Sequence, residues 1–284
     1  MDQSFTDQLH AHARSVGVDL LGIAPIERFA DVPLDKHPAA IFPEVASVIV
    51  VGKRITRGVL RGVEEGTQFD LYGMFGQTWL VNRVLAMATF RTSEFLENHG
   101  WEAVPLPNLP PQTPALGVAV RPGQPAPNVM LDFDDAAVRA GVGEIGLCGM
   151  VLTPEFGPRQ RFQMILTDAI LAPSPLLDTP VCTRCAEEAT VCPLGAIDVT
   201  QVAIRDIAGK ATPVAAVDDA ICRRCKNGAQ PNGLHVAGTA DRFAALCTRN
   251  CLVHLEESGR LSTSFQHPFR TREPWGVIEE TRRL

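Results

Sequence analysis

The stretch VCTRCAEEATVCPLGAID, residues 181–198, decides how the rest of the chain is read. Cys182, Cys185, Cys192 and Pro193 occupy their places in the run C-x2-C-x2-C-x3-C-P, which wraps iron–sulfur clusters. Where the third cysteine of that run belongs, the chain has Glu188. Three readings of the altered corner stay open. Three thiolates could hold a cubane whose fourth iron takes the Glu188 carboxylate or a water, or they could hold a three-iron cluster. A tetrahedral zinc with three thiolates and one other ligand also satisfies the pattern. The proline after Cys192, with LGAI behind it, points to iron–sulfur chemistry ahead of zinc. The plain alternative for Glu188 itself is a solvated glutamate on a helix face beside Glu187.

A second group, Cys222-x2-Cys225 and then Cys247-x3-Cys251, is the same run split by an insertion. In two-cluster proteins the fourth cysteine of each run serves the other run's cluster. That rule gives one complete set, Cys192, Cys222, Cys225 and Cys247. The other set is Cys182, Cys185 and Cys251, with Glu188 at the remaining corner. All eight cysteines lie in the second half of the chain, and close-spaced cysteines in a reducing compartment read as ligands rather than disulfides. Cys148, in GEIGLCGMVL, stands apart and reads as a small buried hydrophobe, with a reactive thiol as the minority reading. His254, three residues after Cys251, reads as a surface histidine, with a bond to cluster sulfur as the alternative.

The remainder of the 284 residues suffices for one large domain or two ordinary ones. Formal charge is −6 without a run of Lys or Arg, so no nucleic-acid surface is expected. The polar, helical amino terminus is unlike an export signal, and no stretch is long enough to span a membrane, which gives a cytoplasmic expectation. Residues 3–16, 77–97 and DDAAVRAG read as helices. DLLGIA (19–24), SVIVVG (47–52), EAVPL, NVMLD and FQMILT (162–167) read as strands of a mixed sheet. LAPSPLLDTP (171–180) marks a boundary between an α/β domain, 1–172, and a loop-rich, cysteine-rich domain, 173–284. Gly141, Gly143 and Gly146 formally make G-x-G-x-x-G, but a helix precedes them where the dinucleotide fingerprint needs a strand. They read instead as a tight loop where backbone could approach a cofactor. DKHPAA (35–40) lacks the final glycine of the corrinoid-carrier signature.

With these residues in view, the chain resembles the epoxyqueuosine reductase and reductive dehalogenase superfamily over nearly its whole length. AAVRAGVGEIG followed by LTPEFGPRQRFQMILTD is similar to the family's central signature, and CTRCAEEATVCPLGAI to its first cluster run. CTRNCLVHLEESGRL with HPFRTREPW looks like a ferredoxin-like branch of the group. The resemblance implies a nitroreductase-like α/β domain for a corrinoid (cobalamin), followed by a ferredoxin-like domain with two clusters of the 4Fe–4S type. It implies a reductase fed by a ferredoxin- or flavodoxin-type partner and acting on a small molecule. It would set the corrinoid against Gly141, Gly143 and Gly146, with Arg159 and Arg161 on its polar groups, and take a proton from Asp132, Asp134 or Tyr72. Glu144 and Leu147 stand where epoxyqueuosine reductases have a tryptophan and a lysine. A partner protein with intact clusters and no corrinoid is the competing reading.

Overall fold

The apolar runs near residues 20, 50 and 165 fold as expected, as strands of one sheet. Its order is Leu20–Pro25, Ser47–Arg54, Gln160–Thr167, Ala103–Leu106, with the outer pairs antiparallel. Every residue of Gln160–Thr167 is buried, and so are the first six of Ser47–Arg54. Strands covered on both faces lose the alternation of a half-exposed strand and read as continuous apolar runs. The computed structural model describes residues 3–275. These divide into two units whose segments interleave along the chain. Unit 1 takes the described residues up to Arg54, then Trp79–Val142 and Arg161–Asp178; unit 2 takes Ile55–Thr78, Gly143–Gln160 and the described residues from Thr179 on. No described helix is long and apolar enough to cross a membrane.

In unit 1 the helices Gln3–Ser15 and Ala86–Glu97 close over the sheet, bringing Leu9, Ala13, Ala88 and Leu96 against Ile23, Ile49, Val51 and Ile165. The expected helix from residue 77 is regular only from Ala86. Gly73–Thr78 and Leu80–Leu85 are π-helical turns, a form rare outside single turns. Thr78 Oγ1 donates to Gly73 O at 3.0 Å, and a side chain at Gly76 would run into the Tyr72 ring. NVMLD is not a strand. Asn128 has φ of 65°, and Asp132 caps the helix Phe133–Arg139 by accepting from the N–H groups of Asp134 and Asp135 at 3.0 and 3.1 Å. Gly22 is closely packed: an added Cβ would lie 2.4 Å from Ala140 O.

Unit 2 is more regular than a loop-rich reading expects. Ile197–Ile207 and Lys210–Val217 form a long antiparallel hairpin. Its two turn residues, Ala208 and Gly209, both have positive φ, as a tight hairpin turn requires. Glu144–Ile145 pairs with Val151–Leu152 in a short second hairpin. The helix Leu246–Glu257 is buried from Leu246 through Val253 although Thr248, Arg249 and Asn250 lie in it. Burial lowers the Arg249 guanidinium to about 10, while its Nε donates to Ala244 O at 3.0 Å.

Candidate metal centre

Cys192, Cys222, Cys225 and Cys247 line a single cavity in unit 2. Four local structures deliver them. Cys192 ends the short helix Glu187–Val191, and Cys222 ends the helix Asp219–Cys222, whose cap is Asp218 accepting from the Ile221 N–H at 3.1 Å. Cys225 follows in a turn, its N–H donating to Cys222 O at 3.0 Å. Cys247 sits in the first turn of Leu246–Glu257. The Ala196 N–H donates to Cys192 Sγ at 3.3 Å, and burial raises the Cys225 thiol while the Asn227 and Ala229 N–H groups oppose the rise. Burial pushes Cys222 up to about 11, against the pull of Arg242, with the other thiols adding to the rise. Burial also raises Cys247, again opposed by Arg242. Thiols that burial and mutual repulsion keep protonated, yet that collect N–H donors, form a site that releases its protons when a cation arrives. The donor set therefore fits an iron–sulfur cluster, and sulfur-directed N–H groups are one of the means by which protein tunes such a cluster.

The second group is arranged differently from the sequence reading. Cys182 receives the N–H groups of Leu147 and Arg184 at 3.5 and 3.4 Å. Its loop is pinned by Glu144, whose Oε1 accepts from the N–H groups of Val181 and Cys182, both at 2.6 Å. Glu188 is 8% exposed, so it is not a solvated helix-face residue. Its carboxylate lines one cavity with Cys148, Cys251, Gly146, Thr248 and Arg242, and burial together with Glu188 raises both thiols. Burial raises Cys251 well above the ordinary thiol range, and Glu188 and the Cys182 and Cys148 thiols raise it further. Cys185 is exposed and stands with Glu187 and His254, their ligand atoms within 4.8 Å of one another. His254 bridges Glu187 Oε1 at 2.9 Å and Thr183 Oγ1 at 2.7 Å, so it is fixed in a network rather than free on the surface. Three residues with a place here carried no sequence signal for it: Cys148, Glu144 and Arg242, which lines both cysteine cavities and donates to Cys148 O at 2.9 Å.

The residues set aside for a corrinoid are engaged with the chain itself. An added Cβ at Gly141 would lie 1.9 Å from Pro175 O, at Gly143 2.4 Å from Leu152 O, and at Gly146 2.9 Å from Leu152 Cδ1. Close packing thus accounts for all three glycines. Arg159 is buried, donates to Ile55 O at 2.6 Å and lies over the rings of Phe156, Phe265 and Phe269. Arg161 is likewise buried. Among the acids and the tyrosine, Asp132 serves as a helix cap and Asp134 is exposed in the first turn behind it. Tyr72 is fully buried in unit 2 and donates to Asp241, which also accepts from Gln77 Nε2 at 2.7 Å and from the Phe243 N–H at 3.2 Å.

No family model matches the chain. The tetrachloroethene reductive dehalogenase of Desulfitobacterium hafniense is 42% identical over 64 residues, 22% of this chain and only 12% of that protein. The Sulfurospirillum multivorans enzyme of the same name is 39% identical over 64 residues, 22% of this chain and 13% of its own length. Among solved structures, the catabolic reductive dehalogenase NpRdhA superimposes with a TM-score of 0.55 at 17% identity, covering 87% of this chain and 31% of that one. Epoxyqueuosine reductase from Bacillus subtilis gives 0.50 at 17% identity, over 95% of this chain and 69% of its own. The chain has the fold of reductive dehalogenases and epoxyqueuosine reductases. That fold agrees with the resemblance drawn from the glycine-loop and cysteine motifs. It is a mixed α/β fold, and the curated dehalogenases extend far beyond the part this chain matches.

Proposed function

We propose that this chain is an iron–sulfur reductase that passes electrons from a ferredoxin- or flavodoxin-type partner through two clusters for reduction of a small molecule. The cavity lined by Cys192, Cys222, Cys225 and Cys247 carries this reading: four thiols from two sequence runs, with the Ala196 N–H bonded to the Cys192 sulfur. One set would be those four. The other would draw on Cys182, Cys185 and Cys251, with the corner at Glu188 to be completed. The cysteines would hold the clusters, the N–H groups would favour the more reduced, more negative state, and Arg242 would offset charge at both cavities. Support from relatives lies in the shared fold, since one of those structures is described as suggesting a mechanism for B12-dependent dehalogenation.

A corrinoid would supply the difficult two-electron chemistry at carbon or halogen. The packed glycine loop and the internal Arg159 instead favour the second reading, an electron-transfer or assembly partner without a corrinoid. Of the three proposed proton donors, Asp134 is the one at the surface. Anaerobic purification from corrinoid-fed cells, with iron, sulfide and corrinoid quantified, tests both. Iron and sulfide with corrinoid support the reductase; iron and sulfide without it support the partner protein. Protein that binds zinc and holds no sulfide refutes both.

A further inference from the structure

We infer that Cys148 is a ligand of the second cluster, filling the corner that Glu188 leaves without a thiolate. The inference rests on the two-cluster reading above and concerns which side chain completes it.

Cys148 packs in a buried cluster with Ile197, Ala215, Ala245 and Cys247, and it also lines a cavity with Glu188 and Cys251. It is 5% exposed and lies in the turn between Glu144–Ile145 and Val151–Leu152. Three hydrogen bonds tie that hairpin to the cysteine run: the Leu147 N–H on Cys182 Sγ, and the N–H groups of Val181 and Cys182 on the Glu144 carboxylate. On its other side, Cys148 shares a cavity with Cys251 and the Glu188 carboxylate. The turn therefore places Cys148 against the two cysteines, Cys182 and Cys251, that come from different runs.

Glu188 makes the grouping informative. A buried carboxylate is ordinarily paired with a cation or with several N–H donors, because burying its charge is costly. Here it lines a small cavity with two thiols, Cys148 and Cys251, beside Arg242. An arrangement of one carboxylate and three thiols is suited to a cation that accepts sulfur. Between the two ligand types, iron in a cluster takes the softer thiolate before the harder carboxylate. A thiolate at Cys148 thus does for the 182–185 run what a cysteine at position 188 would have done, and Glu188 becomes a neighbour of the cluster instead of a ligand.

The test uses the full chain purified anaerobically, with iron and sulfide per chain and EPR spectra of the reduced protein. The parent is expected to hold about eight irons, Cys148→Ser about four or a three-iron remnant with its signal, and Glu188→Gln about eight with small spectral shifts. Cys148→Ser combined with Glu188→Cys is expected to regain about eight, since the thiol returns to the position the run reserves for it. Parent-like iron and spectrum in Cys148→Ser would overturn the inference while leaving two clusters in place. So would a loss in Cys148→Ser that Glu188→Cys fails to repair, which assigns Cys148 to core packing. A parent chain without iron and sulfide instead removes the reading on which the inference rests.

Discussion

Removing the Glu144 carboxylate tests what holds the loop in front of Cys182. One oxygen accepts from two backbone N–H groups, Val181 and Cys182, both at 2.6 Å. Pairing of Glu144 with Leu152 fixes the backbone from which it reaches. A bond to a charged acceptor contributes about 1.5–3 kcal/mol. Glu144 is half-buried, so after a discount for solvent the two bonds together come to about 2–4 kcal/mol. Glu144→Ala loses both and leaves two N–H groups without their acceptor. Glu144→Gln keeps a carbonyl oxygen in the same place and loses only the charge, at a cost of about 1 kcal/mol. Urea unfolding of the anaerobically purified chain, followed by circular dichroism, measures the difference as a midpoint shift at constant slope. The expected order of midpoints is parent, Gln, Ala. Iron content should fall in the Ala variant alone. Midpoints that coincide for all three chains would refute the argument that this carboxylate anchors the loop.

Further outcomes follow from other contacts. Cys192→Ser should cost about four irons per chain and remove one set of EPR signals, although Cys182 and Cys185 in the same run remain. Tyr72→Phe takes one donor from the buried Asp241 carboxylate and should destabilise the chain by about 1.5–3 kcal/mol, with iron content unchanged. A double-mutant cycle with Asp241→Asn checks that the loss belongs to this pair. Glu64 supplies a pH dependence. Burial alone would raise it, but Arg57, the Arg270 N–H and Arg61 outweigh burial and hold it below the ordinary carboxylate range. Its stabilising contribution is therefore complete above about pH 4.3, the unfolded value, and is lost as pH falls through the lower folded one. Glu64→Gln should flatten the acid limb of a stability–pH curve, and an unchanged limb would contradict the ion-pair assignment.

The sheet's two central strands were legible because they are buried on both faces and so appear as largely apolar runs. NVMLD has a similar composition, but Asn128 in the left-handed region and a helix cap at Asp132 override it, and neither shows in hydropathy. The set Cys192, Cys222, Cys225 and Cys247 could be grouped from spacing alone, since the rule for shared runs depends only on cysteine order. Cys148 could not, because its neighbours come from residues 182, 188 and 251 and only the folded turn brings it to them. The π-helical turns were hidden for a similar reason. They depend on the Gly76–Tyr72 packing and the Thr78 bond to Gly73, while the apolar spacing around them suits an ordinary helix.

Cys247 and Cys251 lie four residues apart on one helix, a rise of about 6 Å along its axis. Cys247 lines the cavity of the first set and also borders the one that holds Glu188, which Cys251 lines. With a cluster on each sulfur, an electron would travel between them across little more than one helical turn. The length of that hop is then a property of peptide geometry, insensitive to the loops that carry the other ligands. A single residue inserted between them would swing Cys251 through about 100° and break the relay while leaving every cysteine in the sequence.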